Sequence, residues 1–135
     1  MKAPLVLLTT LLLSLHCVQA QDARIIARTT AILDGNQQLS LPDVIQDACA
    51  TAVGSTNKEV AYSAIALTAL ESGRHSDSYA YPLATLYFRN PQLFLELLAR
   101  LDPKSKETVA GVVRIGTKDI VGDRTMKEAV LKQLD

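Results

Sequence analysis

An eleven-residue segment without a charged side chain, VAYSAIALTAL from Val60 to Leu70, lies at the centre of the chain. Residues 56–59 (TNKE) before it have the spacing of a capping box, and Gly73 follows as a helix stop. A helix that is apolar on nearly every side must be covered by neighbouring elements. We therefore predict a central helix over 58–71. The side chains expected to be inaccessible to solvent are Ala61, Ala64, Ile65 and Leu67.

Helix starts and stops punctuate the rest of the chain in a similar way. Proline, hydroxyl and carboxylate residues stand at expected helix starts, and glycine or an Asn-Pro step stands at expected ends. The predicted helices span 22–34, 41–54, 58–71, 78–88, 91–101, 103–115 and 125–134. The caps expected for the third, fourth and seventh of them are Thr56, Ser78 and Thr125. Gly111 is expected to allow close helix contact, and Gly116 to open a loop.

No stretch of the sequence has the alternation of apolar and polar residues between hairpin turns that is typical of strands. The expected fold is all-α: a compact antiparallel domain of about six or seven short helices, arranged as a helical bundle or as a short stack of helix pairs. An offset of 49 residues aligns Val60-Ala61 with Val109-Ala110 and Ala50 with Ala99. These matches are too few to establish a repeat, so both arrangements stay open.

The first twenty residues have the order of a secretory signal peptide. Lys2 supplies a positive start, and the apolar run of residues 3–15 follows. Val18 and Ala20 stand at positions −3 and −1 relative to the expected cleavage site after Ala20. Charge, apolar core and small residues at the cleavage point are the three parts of such a signal. We therefore predict that residues 1–20 are removed and that the protein is exported, to the periplasm or out of the cell.

Two other interpretations of the same segment fit less well. A membrane-spanning helix needs about 20 apolar residues, and the apolar run here is several residues shorter. A lipoprotein leader with Cys17 as the lipidated residue needs a small residue before the cysteine, where this chain has His16. The remaining sequence has no longer apolar run, so we expect no membrane span in the mature chain.

The mature chain over 21–135 has the size of one all-helical domain, and its composition restricts its partners. Cys49 is its only cysteine, so no internal disulfide forms. A buried thiol is the expected state, with a disulfide to a partner chain as the alternative. Because Lys2 belongs to the leader, 13 basic residues stand against 14 acidic ones. This balance lacks the basic excess that indicates a nucleic-acid partner.

The mature chain contains few residues that could bind a metal ion or act in catalysis. His75 and Cys49 are the only histidine and cysteine of the mature chain, whereas zinc sites need several such ligands at set spacings. Residues 74–78 (RHSDS) contain Ser, His and Asp, but neighbours in sequence do not form a triad, and no nucleophile-elbow motif surrounds a serine. We therefore expect no cofactor, no metal and no catalytic residue.

The segment 71–82, ESGRHSDSYAYP, concentrates residue types that bind other proteins. Tyr and Arg are strongly enriched at binding hot spots, and loops on a rigid scaffold often carry function. The candidate binding residues are Arg74, His75, Asp77, Tyr79 and Tyr81. A plain connector with both tyrosine rings packed inward has the same composition, and this alternative stays open.

These observations favour an exported, non-enzymatic protein-binding domain, of the kind found among inhibitors and among immunity proteins that neutralise toxins. The alternative is a carrier of a small apolar ligand, which predicts a cavity lined by the Leu, Phe and Tyr side chains of residues 83–101. A binding protein predicts instead a filled core and a surface patch. An enzyme of unknown class ranks third, and the partner and the oligomeric state do not follow from the sequence.

Overall fold

Seven α-helices and no strand make up the part of the chain that the computed structural model describes, residues 3–35 and 40–135, with side chains from residue 17 onwards. The helices are α1 (Ala3–Leu33), α2 (Leu41–Val53), α3 (Lys58–Glu71), α4 (Ala80–Arg89), α5 (Pro91–Leu98), α6 (Pro103–Thr117) and α7 (Arg124–Lys132). A short 3-10 turn, Ser76–Ser78, precedes α4. The all-α class predicted from the sequence is confirmed.

Helix α3 lies at the centre of the structure, as its charge-free sequence predicts. It packs against α1, α2, α4, α5 and α6. The four side chains predicted to be inaccessible are buried: Ala61, Ala64, Ile65 and Leu67. The buried hydroxyl groups of Ser63 and Thr68 donate to backbone carbonyl oxygens one turn earlier, so burial leaves neither of them without a partner.

Helices α4 and α6 approach each other closely at Gly116. A Cβ atom at this position would lie 2.0 Å from the carbonyl oxygen of Ala80, so only glycine fits at the contact. A Cβ atom at Gly111 would meet no described atom within 4 Å. The expectation for Gly111 is therefore wrong. The close contact depends on Gly116, which lies inside α6 and not in the loop after it.

The helix pairs do not follow the offset of 49 residues. That offset would make α5 and α6 the counterpart of α2 and α3, which pack extensively against each other. Helix α6 packs mainly against α4 instead, and α5 packs against α3 and α4. The aligned Val-Ala pairs therefore do not indicate a repeated packing unit.

Three helices begin at a cap other than the expected one. Tyr79 takes the cap position of α4 in place of Ser78, and its side chain accepts no capping bond. Asn57 caps α3 in place of Thr56, and its side chain accepts a hydrogen bond from a backbone N–H of the first turn. Asp123 caps α7 in place of Thr125, and its carboxylate accepts two such bonds. Asn and Asp are better caps than Thr, and a carboxylate also meets the positive end of the helix dipole.

Helix α1 continues without a break from the segment predicted as the leader into the first predicted mature helix. In its described side chains, Ile25 and Ile32 enter the core, and Asp22 is buried as well. Gly35, with a φ of 94°, follows the end of the helix as the sequence predicts. Within residues 3–35 and 40–135, no helix is both long enough and apolar enough to cross a membrane.

Cys49 on α2 is buried, as expected for a small thiol in an apolar stretch. Burial raises the pKa of this thiol to about 12. The thiolate, which is the form that attacks disulfides, is therefore scarce at neutral pH. With 1% of its surface exposed, the side chain also offers no access to a partner chain in this structure.

Candidate functional site

The buried carboxylate of Glu71, the last residue of α3, organises the loop that follows it. Its Oε1 atom accepts hydrogen bonds from the backbone N–H of His75 and from the hydroxyl of Tyr79, both at 2.7 Å. Its Oε2 atom lies 3.3 Å from Nδ1 of the His75 ring. One side chain therefore holds the middle and the end of the loop against the end of α3.

The hydrogen bonds decide the charge state of Glu71. Burial raises the pKa of this carboxyl group, but the bonds from the His75 backbone and the Tyr79 hydroxyl favour the ionised form. The net result is a pKa below the ordinary value of 4.5. The pKa of Tyr79 is raised, first by burial and then by the neighbouring carboxylate. At neutral pH the carboxylate is ionised and the tyrosine keeps the proton that it donates.

The backbone directly after Glu71 takes two consecutive left-handed conformations. Ser72 has a φ of 62° and Gly73 a φ of 72°. Glycine adopts this region freely, whereas an L-residue such as serine does so at a cost of about 1–2 kcal/mol. The resulting reversal of the chain brings the backbone of His75 within reach of the Glu71 carboxylate.

The five candidate binding residues do not form one surface. Arg74 and His75 border the same depression, at the end of α1, the start of α2 and the end of α3. Asp77 is exposed on the 3-10 turn. Tyr81 is half-exposed on α4 and borders a different depression, formed with the loop between α6 and α7. Tyr79 is fully buried, so the inward-packed arrangement holds for Tyr79 and not for Tyr81.

The sequence-based candidates did not include Glu71, although the loop depends on it. A signal was present, because a carboxylate in the last turn of a helix meets the negative end of the helix dipole and is unfavourable there without donors. Glu71 also stands four residues before His75, the spacing at which side chains meet on a helix. An acid in this position predicts that the following loop folds back and donates hydrogen bonds to it.

The His75 ring has a carboxylate partner, but it is not the one that the sequence places next to it. The partner is Glu71 and not Asp77. Within the described residues, no serine hydroxyl hydrogen-bonds to this ring, and the ring is 67% exposed. In the same part of the chain, no three His, Cys, Asp or Glu side chains gather where they could hold a metal ion.

A cleft at the other end of α3 is the second candidate site. It lies where α2 and α4 end and where α3 and α5 begin, and its volume of about 370 Å³ is in the range of small-molecule sites. Its apolar walls include Ala61, Leu86, Leu93, Phe94 and Leu97. Its rim is polar and carries two cations, Lys58 and Arg89.

No family model, no curated protein and no solved structure matches the chain. The function is therefore inferred from the two sites themselves. The loop held by Glu71 offers charged side chains on an ordered backbone. The cleft offers an apolar surface with a cationic rim.

Proposed function

We propose that this chain is an exported, non-enzymatic protein-binding domain that acts on another macromolecule through the loop 73–78, called here the binding loop. The observation that supports the proposal is the buried Glu71 carboxylate, which holds this exposed polar loop in one conformation. Three of the candidate binding residues, Arg74, His75 and Asp77, are exposed on it. An inhibitor or an immunity-type protein that neutralises a toxin has this kind of role.

The order of the binding loop bears on affinity because association costs conformational entropy. Immobilising a flexible side chain on binding costs about 0.5–1.5 kcal/mol, and ordering a loop adds to that cost. Here the bonds from the His75 backbone and the Tyr79 hydroxyl to Glu71 order the backbone before any partner arrives. Arg74 and Asp77 then supply charges of opposite sign, which favour a partner surface of complementary charge.

Export to the periplasm or out of the cell is part of the same proposal, and it rests on the signal-like residues 1–20. Mass spectrometry of the exported protein is expected to find a chain that begins at Gln21. An intact N-terminus on a soluble cytoplasmic product would contradict export, and with it the kind of partner proposed here.

Capture from the native exported fraction tests the binding loop. The partner retained by the wild-type chain is identified, and its affinity is measured for Arg74→Ala and Asp77→Ala. Each change is expected to weaken binding by more than about 1 kcal/mol while the melting temperature stays near that of the wild type. Lys118→Ala removes an exposed charge after α6 and is the matched control. If both loop variants bind like the wild type, the loop is only a connector and the proposal fails.

The cleft favours a second candidate function, a carrier of a small apolar ligand. For a carrier, the sequence predicts a cavity lined by apolar side chains of residues 83–101, and Leu86, Leu93, Phe94 and Leu97 line the cleft. Calorimetric titration of the full chain with decanol tests the apolar part of this function. Binding of one molecule per chain supports a carrier, and the absence of binding contradicts it.

A further inference from the structure

We infer that the cleft binds an amphipathic anion, a single-chain molecule with its apolar tail on Val53 and Leu93 and its anionic head between Lys58 and Arg89. The inference rests on the carrier function proposed above and adds the chemical class of the ligand. The occupant is a free amphiphile, such as a carboxylate or a sulfate with one alkyl chain.

The charge at the cleft supports an anionic head. Among the described residues, neither Lys58 nor Arg89 takes part in an ion pair, and no Asp or Glu lines the cleft. The arginines that do form ion pairs are Arg24, Arg28, Arg100, Arg114 and Arg124. Two uncompensated cations at the border of an apolar surface attract a ligand with a negative head and an apolar body.

The buried carboxylate of Asp22 contacts a residue of the cleft wall from the side that faces the core. It accepts a hydrogen bond from the hydroxyl of Ser55, which lines the cleft, but Asp22 itself does not line it. Its surface is 7% exposed, so it offers no ion pair to a rim cation in this structure. The surface that faces a ligand is therefore positive.

Backbone dipoles add little to this preference. Helices α3 and α5 begin at the cleft, and α2 and α4 end there. The positive ends of two helix dipoles therefore lie beside the negative ends of two others. Because these contributions oppose each other, the preference for an anion comes from the side chains of Lys58 and Arg89. Removal of their charges is therefore a direct test.

The apolar walls set the size of the tail. Phe94 and Leu97 are almost fully buried, so the apolar surface that is open to a tail comes mainly from Val53 and Leu93, which are only partly buried. A volume of about 370 Å³ lies near the lower end of the range for small-molecule sites. It suits one short alkyl chain better than a lipid with two chains. Each buried methylene group contributes to affinity, so binding depends on chain length.

Calorimetric titration of the full chain with soluble ten-carbon amphiphiles, below their micelle concentrations, tests the inference. Decanoate and decyl sulfate are expected to bind about tenfold more tightly than decanol, since two charge-assisted contacts to the head are added. Hexanoate is expected to bind in the cleft at least about tenfold more weakly than decanoate, because it buries fewer methylene groups. The double variant Lys58→Gln/Arg89→Gln should lose about tenfold for decanoate and bind decanol unchanged, while Lys118→Gln binds both ligands like the wild type.

The outcomes separate the inference from the carrier function. Equal affinities of the wild type for decanoate and decanol would overturn the anionic head and leave the carrier function standing. Binding of neither ligand would overturn both. Binding of an acidic peptide ending in phenylalanine, or of anionic lipid vesicles, without binding of decanoate would put a different occupant in the cleft. If the double variant has a lower melting temperature than the wild type, Lys58→Gln and Arg89→Gln are titrated separately in its place. Unchanged affinity of both single variants for decanoate would overturn the inference.

Discussion

Two buried carboxylates, one near each end of α3, differ in how their oxygens are satisfied. At the C-terminal end, both oxygens of Glu71 have contacts from the following loop. Near the N-terminal end, Oδ2 of Asp22 accepts from the Ser55 hydroxyl at 2.7 Å, whereas Oδ1 is buried without a partner among the described residues. A buried polar atom without a partner costs on the order of 1–3 kcal/mol.

The difference separates a completed hydrogen-bond network from an incomplete one. Glu71 closes a loop and leaves a fixed, charged surface outside it. Ser55, the partner of Asp22, also accepts from the backbone N–H of Asn57 and lines the cleft, so the incomplete network reaches the cleft wall through Ser55. The contrast parallels the two proposals, which place a protein partner at the loop and a small molecule at the cleft.

The largest effect is expected from Tyr79→Ala. The change removes a fully buried ring together with the hydroxyl that donates to Glu71. The free energy of unfolding should fall by about 3–5 kcal/mol, measured by chemical denaturation. Tyr81→Ala, which removes a half-exposed ring two residues later, is the matched control and should change it by about 0.5 kcal/mol or less. Similar losses for the two variants would show that the loop is not anchored by Tyr79.

Glu71→Gln is expected to lower the free energy of unfolding by about 1.5–3 kcal/mol at neutral pH, since the two hydrogen bonds accepted by Oε1 would go to a neutral amide oxygen, which is a weaker acceptor than a carboxylate. The folded-state pKa of Glu71 lies below 4.5, so its stabilising contribution is present above that pH and is lost as the pH falls through the folded-state pKa. Denaturation curves of both proteins between neutral and acidic pH should therefore converge in acid. A constant gap would contradict the role of the ionised carboxylate.

Asp22→Asn should change the free energy of unfolding by about 1 kcal/mol or less. The amide keeps an oxygen that accepts from Ser55, and the change replaces a buried carboxylate whose other oxygen has no partner among the described residues. Chemical denaturation of Asp22→Asn and Glu71→Gln at neutral pH compares their free energies of unfolding directly. A loss as large as that of Glu71→Gln would mean that the two carboxylates are equivalent, and the contrast between the ends of α3 would not hold.

The smallest effect is expected from His75→Ala, about 0.5 kcal/mol or less. Its ring is 67% exposed, so its contact with Glu71 is screened by water, and the backbone N–H that donates to the carboxylate remains. Thermal or chemical denaturation measures the change. A larger loss would assign the order of the loop to the His75 side chain and would weaken its use as a free contact residue.

Helix positions were predictable where one local signal stood alone. Asn90 before Pro91 and Asp102 before Pro103 start α5 and α6 at the predicted residues. Helix α3 also begins at the predicted residue, but its cap is Asn57 and not Thr56, and α7 begins one residue earlier than predicted because Asp123 and not Thr125 caps it. Capping is a choice between neighbours, and the sequence spacing alone does not rank them.

Composition could not separate Tyr79 from Tyr81, which lie two residues apart in the same polar segment. The 3-10 turn and the start of α4 at Ala80 direct the first ring into the core and leave the second half-exposed. The cleft residues were predictable only as part of an apolar stretch. Their convergence on Lys58 and Arg89 requires four helix ends to meet, and these ends are separated in sequence.

The sequence by itself determined the all-α class, the central place of α3 and most helix limits, because these follow from the periodicity of apolar residues and from interactions within a few positions. The tertiary structure decided that Gly116 and not Gly111 permits the close helix contact. It also decided that Glu71 closes the loop and that one oxygen of Asp22 has no partner among the described residues. These properties depend on distances between groups from different elements, and such distances exist only once the helices have packed.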